Sequence, residues 1–122
     1  MTQEEKQLLF KDLCARLPYG VKIKCGREIL TLNVNWLQMF QYHLDEIKPY
    51  LRPMSSMTED ERKELRERFC YEWEESEVEL MYYSIEIGDA DCLIDWFLEH
   101  HLDFRGLIPK GLALEAPEGM YK

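Results

Sequence analysis

Long apolar runs are missing from this sequence: no stretch approaches the ~20 consecutive apolar residues that a membrane span needs, and mean hydropathy is −0.44. Paired cysteines are missing too. Cys14, Cys25, Cys70 and Cys92 stand far apart with no Cys-x-x-Cys among them, which removes the spacing of a zinc knuckle or a dithiol redox centre. They read as reduced, buried thiols. The first residues, Met1-Thr2-Gln3-Glu4-Glu5-Lys6, lack the basic start and apolar run of a secretory signal, so a cytoplasmic location is expected. There is no low-complexity tract, internal repeat or linker. A basic excess is also lacking, with 15 Lys and Arg against 24 Asp and Glu and a net charge of −9.

What is present suits one globular domain over residues 1–122. At 46% hydrophobic and 12% aromatic residues, the chain can bury about two-thirds of its unfolded surface around a single core. The charge is divided unevenly. Residues 1–58 have a net charge of +2, residues 59–104 carry 16 acidic against 4 basic side chains for a net of −12, and residues 105–122 have a net of +1. The middle segment would repel phosphate, so direct nucleic-acid binding is not expected.

Thr2 followed by Glu5 has the capping-box spacing, and Leu9, Leu13 and Leu17, with Phe10 and Cys14 beside them, make an apolar stripe. The pattern predicts a helix over 3–17, stopped by Pro18 and Gly20. Val21 to Cys25 alternates apolar and basic residues, and Gly26-Arg27 suits a two-residue turn of type II′. The spacing predicts a hairpin of strands 21–25 and 28–34, with Ile29, Leu30, Leu32 and Val34 feeding the core. In 36–47, Leu37, Phe40, Leu44 and Ile47 fit a helical stripe behind Asn35 as cap, although the aromatic content would also suit a strand. Pro49 and Pro53 confine any strand between them to an edge or a short piece. A second capping box, Thr58 and Glu61, opens a helix over 59–75 carrying Leu65, Phe69 and Trp73. Residues 76–87 fit strand or helix and are closed by Gly88-Asp89. A helix over 91–101 packs Leu93 or Ile94, then Phe97 and His101, and Leu112 to Ala116 reads as a short helical piece. Together these predict an α+β domain, a small and mainly antiparallel sheet packed against three to four helices.

Few constellations carry chemistry. His100 and His101 are adjacent, about 100° apart on a helix, and with Asp103 they propose no third ligand at metal spacing. Imidazoles in a last helical turn meet orphan carbonyls instead, so no metal or other cofactor is expected. Gly106-Leu107-Ile108-Pro109-Lys110-Gly111 has the outer glycines of a phosphate loop but Leu112 and Ala113 where Lys-Ser/Thr must follow. Ser55 and Ser56 lack a nucleophile elbow. No catalytic residue is identified. Glu72, Glu74, Glu75, Glu77 and Glu79 put five carboxylates in eight residues; such a run is a solvated surface, a docking face for a basic protein partner or, least expected, a divalent-cation site. Tyr19, Tyr50, Arg52 and Arg105, residue types that anchor interfaces, form the alternative, a small-molecule or anion site.

Three stretches, Leu17-Pro18-Tyr19-Gly20-Val21-Lys22, Lys48-Pro49-Tyr50-Leu51-Arg52-Pro53-Met54-Ser55-Ser56-Met57-Thr58 and His100-His101-Leu102-Asp103-Phe104-Arg105-Gly106-Leu107-Ile108-Pro109-Lys110-Gly111-Leu112-Ala113, resemble a group of short uncharacterised proteins encoded by gut Bacteroidales genomes, prophages and phages. The resemblance covers most of the chain. It implies a mobile-element setting and a small accessory protein that binds a host or viral macromolecule, and it transfers no functional residue. The sequence leaves the partner, the ligand and the oligomeric state open.

Overall fold

The computed structural model describes residues 1–69 and 87–121. Helix α1 (Gln3–Arg16) begins at the expected capping box: Thr2 Oγ1 accepts from the Glu5 amide, and Glu5 accepts from the Thr2 amide at 2.8 Å. Its inward stripe is Leu9, Asp12, Leu13 and Arg16, the i, i+3, i+4, i+7 set of one helical face. A 3-10 turn, Leu17–Tyr19, ends at Gly20 in the left-handed conformation, φ 69°.

Strands β1 (Lys22–Cys25) and β2 (Glu28–Thr31) form the expected hairpin with Cys25 opposite Glu28. Gly26 has φ 60° while Arg27 does not have a positive φ, as a type II′ turn requires. β2 is shorter than expected. Asn33, not Asn35, caps α2 (Val34–Phe40), its side chain accepting from the Trp36 amide at 2.8 Å. Val34 therefore opens a helix at 56% exposure, and Ile29 lies 53% exposed on the edge strand rather than in the core. Alternation alone did not reveal where the asparagine cap interrupts it.

β3 (Ile47–Leu51) follows a 3-10 turn at Leu44–Glu46, and with β4 (Leu114–Glu115) the sheet order is β2-β1-β3-β4. Pro49 thus sits in an interior strand. β4 pairs with β3 in parallel only at Tyr50 and Leu51, so at Pro49 there is β1 on one side and, among the described residues, no strand on the other. The Leu112–Ala116 segment is accordingly a bend and a strand, not helix. Four apolar residues around Glu115 carry no clear period, and docking decides the matter: the Ala116 amide donates to the Leu51 carbonyl at 2.8 Å.

After a 3-10 turn at Met54–Ser56, α3 (Glu59–Phe69) opens on the second capping box, with Thr58 and Glu61 bonded reciprocally. The continuation expected to residue 75 lies outside the described residues, as does most of 76–87. α4 (Ile87–Glu99) starts earlier than expected, and Gly88-Asp89 falls in its first turn instead of closing the preceding segment; a lone glycine is tolerated there.

The layers meet in two apolar clusters. α1, α2 and one sheet face bury Leu9, Leu13, Ile23, Leu37, Phe40, Ile47 and Leu51. The turn before α3, α3 itself, α4 and the loop after it bury Met54, Met57, Leu65, Leu93, Trp96, Phe97, Leu102 and Phe104. Each fully buried leucine contributes about 1.5–3 kcal/mol. The three described cysteines are free, as expected, but not buried: Cys14 and Cys92 are exposed and Cys25 is half-buried. Cys70 lies outside the described residues. Among the described residues, no helix is long and apolar enough to cross a membrane.

Candidate functional site

Arg52 leaves the end of β3 and is fixed by its own backbone. Its amide donates to the His101 carbonyl and its carbonyl accepts from the Asp103 amide, both at 2.8 Å, tying the strand to the loop after α4. The guanidinium then reaches α3. Nη2 and Nη1 donate to the two oxygens of Glu61 at 2.7 and 2.9 Å, and they also reach the Ser56 and His100 carbonyls at 3.2 and 3.3 Å. Burial alone would raise the Glu61 carboxyl, but the hydrogen bonds from Arg52 and from the Thr58 amide outweigh it and hold its pKa at about 2. Glu61 is at once a helix cap and the partner of Arg52.

Beside this pair opens a cleft of about 500 Å³, walled by Arg52, Glu61, Glu115, Glu118 and Tyr121. Three carboxylates face one guanidinium that is already held on both forks. Tyr19, Tyr50 and Arg105 do not line the cleft. Tyr19 packs, partly buried, against the second apolar cluster. Tyr50 is a β3 residue whose carbonyl accepts from the Tyr121 hydroxyl at 2.6 Å. Arg105 donates to Asp12 at 2.8 Å and lies over the Phe104 ring at 4.7 Å. The two arginines of the expected anion site are thus held in separate ionic contacts.

Asp12 is the centre of the second contact. It is fully buried, and so is Arg16, whose Nε donates to Asp12 at 2.7 Å while Nη2 donates to the Leu102 carbonyl at 2.7 Å. One carboxylate therefore joins α1 to Arg105 and, through Arg16, to the loop after α4. The i, i+4 spacing of Asp12 and Arg16 was visible in the sequence; its place on the apolar stripe was the missed sign that the pair is internal.

His100 and His101 divide as a helix end would have them. His100 Nδ1 lies 2.8 Å from the Trp96 carbonyl, and its ring stacks on Trp96 at 4.0 Å. His101 takes the left-handed conformation past the helix, φ 59°, and stacks on Tyr121 at 3.7 Å. Burial, then the charges of Arg16 and Arg52, lowers its pKa to about 4, and among the described residues its buried Nδ1 has no hydrogen-bond partner. Asp103 accepts from the Leu107 and Ile108 amides at 2.8 and 2.9 Å. The glycine-flanked loop that superficially suggested phosphate binding thus spends two amides on an internal carboxylate. Among the described residues, no group of three His, Cys, Asp or Glu side chains is placed to hold a metal ion.

Glu72, Glu74, Glu75, Glu77 and Glu79 lie outside the described residues. In α3, which opens the acidic segment, three basic side chains pair locally: Lys63 with Glu67 at 4.0 Å, Arg66 with Glu59 at 3.9 Å and Arg68 with Glu64 at 3.6 Å. No protein-family model matches the chain, and no curated protein or solved structure matches it.

Proposed function

We propose that this chain is a non-catalytic, cytoplasmic accessory protein of the mobile-element type, which docks a basic macromolecular partner through its acidic segment. The observation that carries this reading is the charge division itself, 16 carboxylates against 4 cations between residues 59 and 104. Gathering so many like charges in a folded chain opposes folding, while presenting a field that attracts a basic surface. Glu72, Glu74, Glu75, Glu77 and Glu79 are the densest part of it.

The ion pairs favour this reading over an anion-binding one. An incoming anion at Arg52 would displace Glu61, and one at Arg105 would displace Asp12. The cleft beside Arg52 carries more carboxylate than guanidinium, so it too suits a basic group better than an acidic one. The test is affinity capture from a Bacteroidales lysate at low salt. The wild-type chain and a variant with all five glutamates changed to Gln serve as baits, and the retained proteins are identified by mass spectrometry. A basic protein retained by the wild type alone is the expected result. Identical retained sets would refute the reading.

A further inference from the structure

The sheet sorts its charges by face. The register sets Lys24 opposite both Lys48 and Ile29, and Lys22 opposite Thr31. With side chains alternating along each strand, one face carries Lys22, Lys24, Ile29, Thr31, Lys48 and Tyr50, and Leu114 beside Tyr50. The strand carboxylates, Glu28 and Glu115, fall on the other face, the one that packs on α1. Lys24, Ile29, Thr31 and Lys48 are exposed, and Tyr50 and Leu114 are half-buried.

Two features mark this face as more than solvated surface. Lys24 and Lys48 are direct cross-strand neighbours, an arrangement in which like charges repel. Among the described residues neither makes an ion pair, nor does Arg27 in the adjoining turn, whereas Arg16, Arg52, Arg66, Arg68 and Arg105 all hold carboxylates. In a chain with an excess of acid, these cations hold no carboxylate among the described residues, and they share one surface with apolar and aromatic groups between them.

We propose that this face binds single-stranded nucleic acid. Phosphate supplies the missing counter-charge, and the flat bases supply contact for Tyr50 and Ile29, the combination that single-strand-binding sheets use. Lysine, a compact point charge, meets phosphate without a fixed geometry. The segment charges argued against nucleic acid when counted along the chain. At 0.15 M salt, however, each charge acts over about 8 Å, and the strand residues of this face include three lysines and no carboxylate.

The test is fluorescence anisotropy with a labelled oligothymidylate of about twenty nucleotides, long enough to cover one such platform. Three neutralised phosphates would give a slope of about −2 in log K against log salt, at roughly −0.7 per contact. K24E/K48E is expected to weaken binding at least about tenfold, and K48Q to reduce the slope by about 0.7. K11E, on the exposed side of α1, should change affinity less than about twofold, and thermal melting checks that each variant folds. The proposal is overturned if no binding appears at the lowest salt, or if K11E weakens it as much as K24E/K48E. It is also overturned if polyglutamate competes as well as the oligonucleotide, which would make the face a dock for acidic protein.

Discussion

Asp12 and Arg16 lie one turn apart on α1 with both side chains fully buried, Nε to Oδ2 at 2.7 Å, and Arg105 closes on the same carboxylate from the far end of the chain. Removing one member of such a group leaves charges without a counterpart in low dielectric. Asp12→Ala is expected to cost about 3–5 kcal/mol, read from urea unfolding. A loss below about 1 kcal/mol, as for a surface pair, would show that the contact contributes little.

The apolar side of the same helix gives a second prediction. Leu13 is completely buried in the cluster shared with Ile23 and Leu51, so Leu13→Ala should cost about 2–5 kcal/mol through lost burial and the cavity left behind. Chemical denaturation of the variant checks it. A smaller loss than about 1 kcal/mol would remove Leu13 from the core.

Leu9 and Leu13 were legible because a helix writes its buried face as a period, and the two capping boxes marked the starts of α1 and α3. Asp12 and Arg16 obeyed the same period but were hidden by their polarity, since a buried pair and a surface pair share one spacing. β4 was hidden for another reason: its two residues become a strand only by docking on β3, a partner more than sixty residues away in sequence. At the candidate site, Arg52 was visible as a residue type, while its engagement by Glu61 needed the strand-to-helix geometry. Asp103 was seen beside the histidines, but not as the acceptor for the Leu107 and Ile108 amides.

Acid should destabilise the fold in two successive windows. The His101 pKa falls from 6.5 to about 4 on folding, so the unfolded chain takes up the proton first and stability drops as pH falls from 6.5 towards 4. The Glu61 pKa falls from 4.5 to about 2, so the stability from its contact with Arg52 is present above 4.5 and is lost towards 2. Asp103, raised chiefly by burial, works in the opposite sense. Melting temperature measured against pH should decline from about 6.5 downwards. In His101→Asn, which keeps a side chain suited to the left-handed backbone, the upper window should flatten. An unchanged upper window would show that His101 is not the group responsible.

Glu61 serves Arg52 and the α3 cap together, so Glu61→Gln should remove the charge while keeping a capping acceptor. The expected loss is about 1.5–3 kcal/mol, the range for hydrogen bonds to a charged group, against about 1 kcal/mol or less for Glu67→Gln at an exposed pair. Equal losses would mean that the bidentate contact is no stronger than its surface neighbours.

The central claim is that the acidic segment steers a basic partner, and the association rate tests it most directly. With the captured partner immobilised, the rate is measured from about 0.05 to about 0.3 M NaCl, a range over which the screening length shortens markedly. For the wild type the rate should fall steeply with salt. For the variant carrying Glu72→Gln, Glu74→Gln, Glu75→Gln, Glu77→Gln and Glu79→Gln it should be slower and nearly flat, with an unchanged melting temperature. Equal rates and equal salt dependence in the two proteins would contradict the claim and leave the five glutamates as solvated surface.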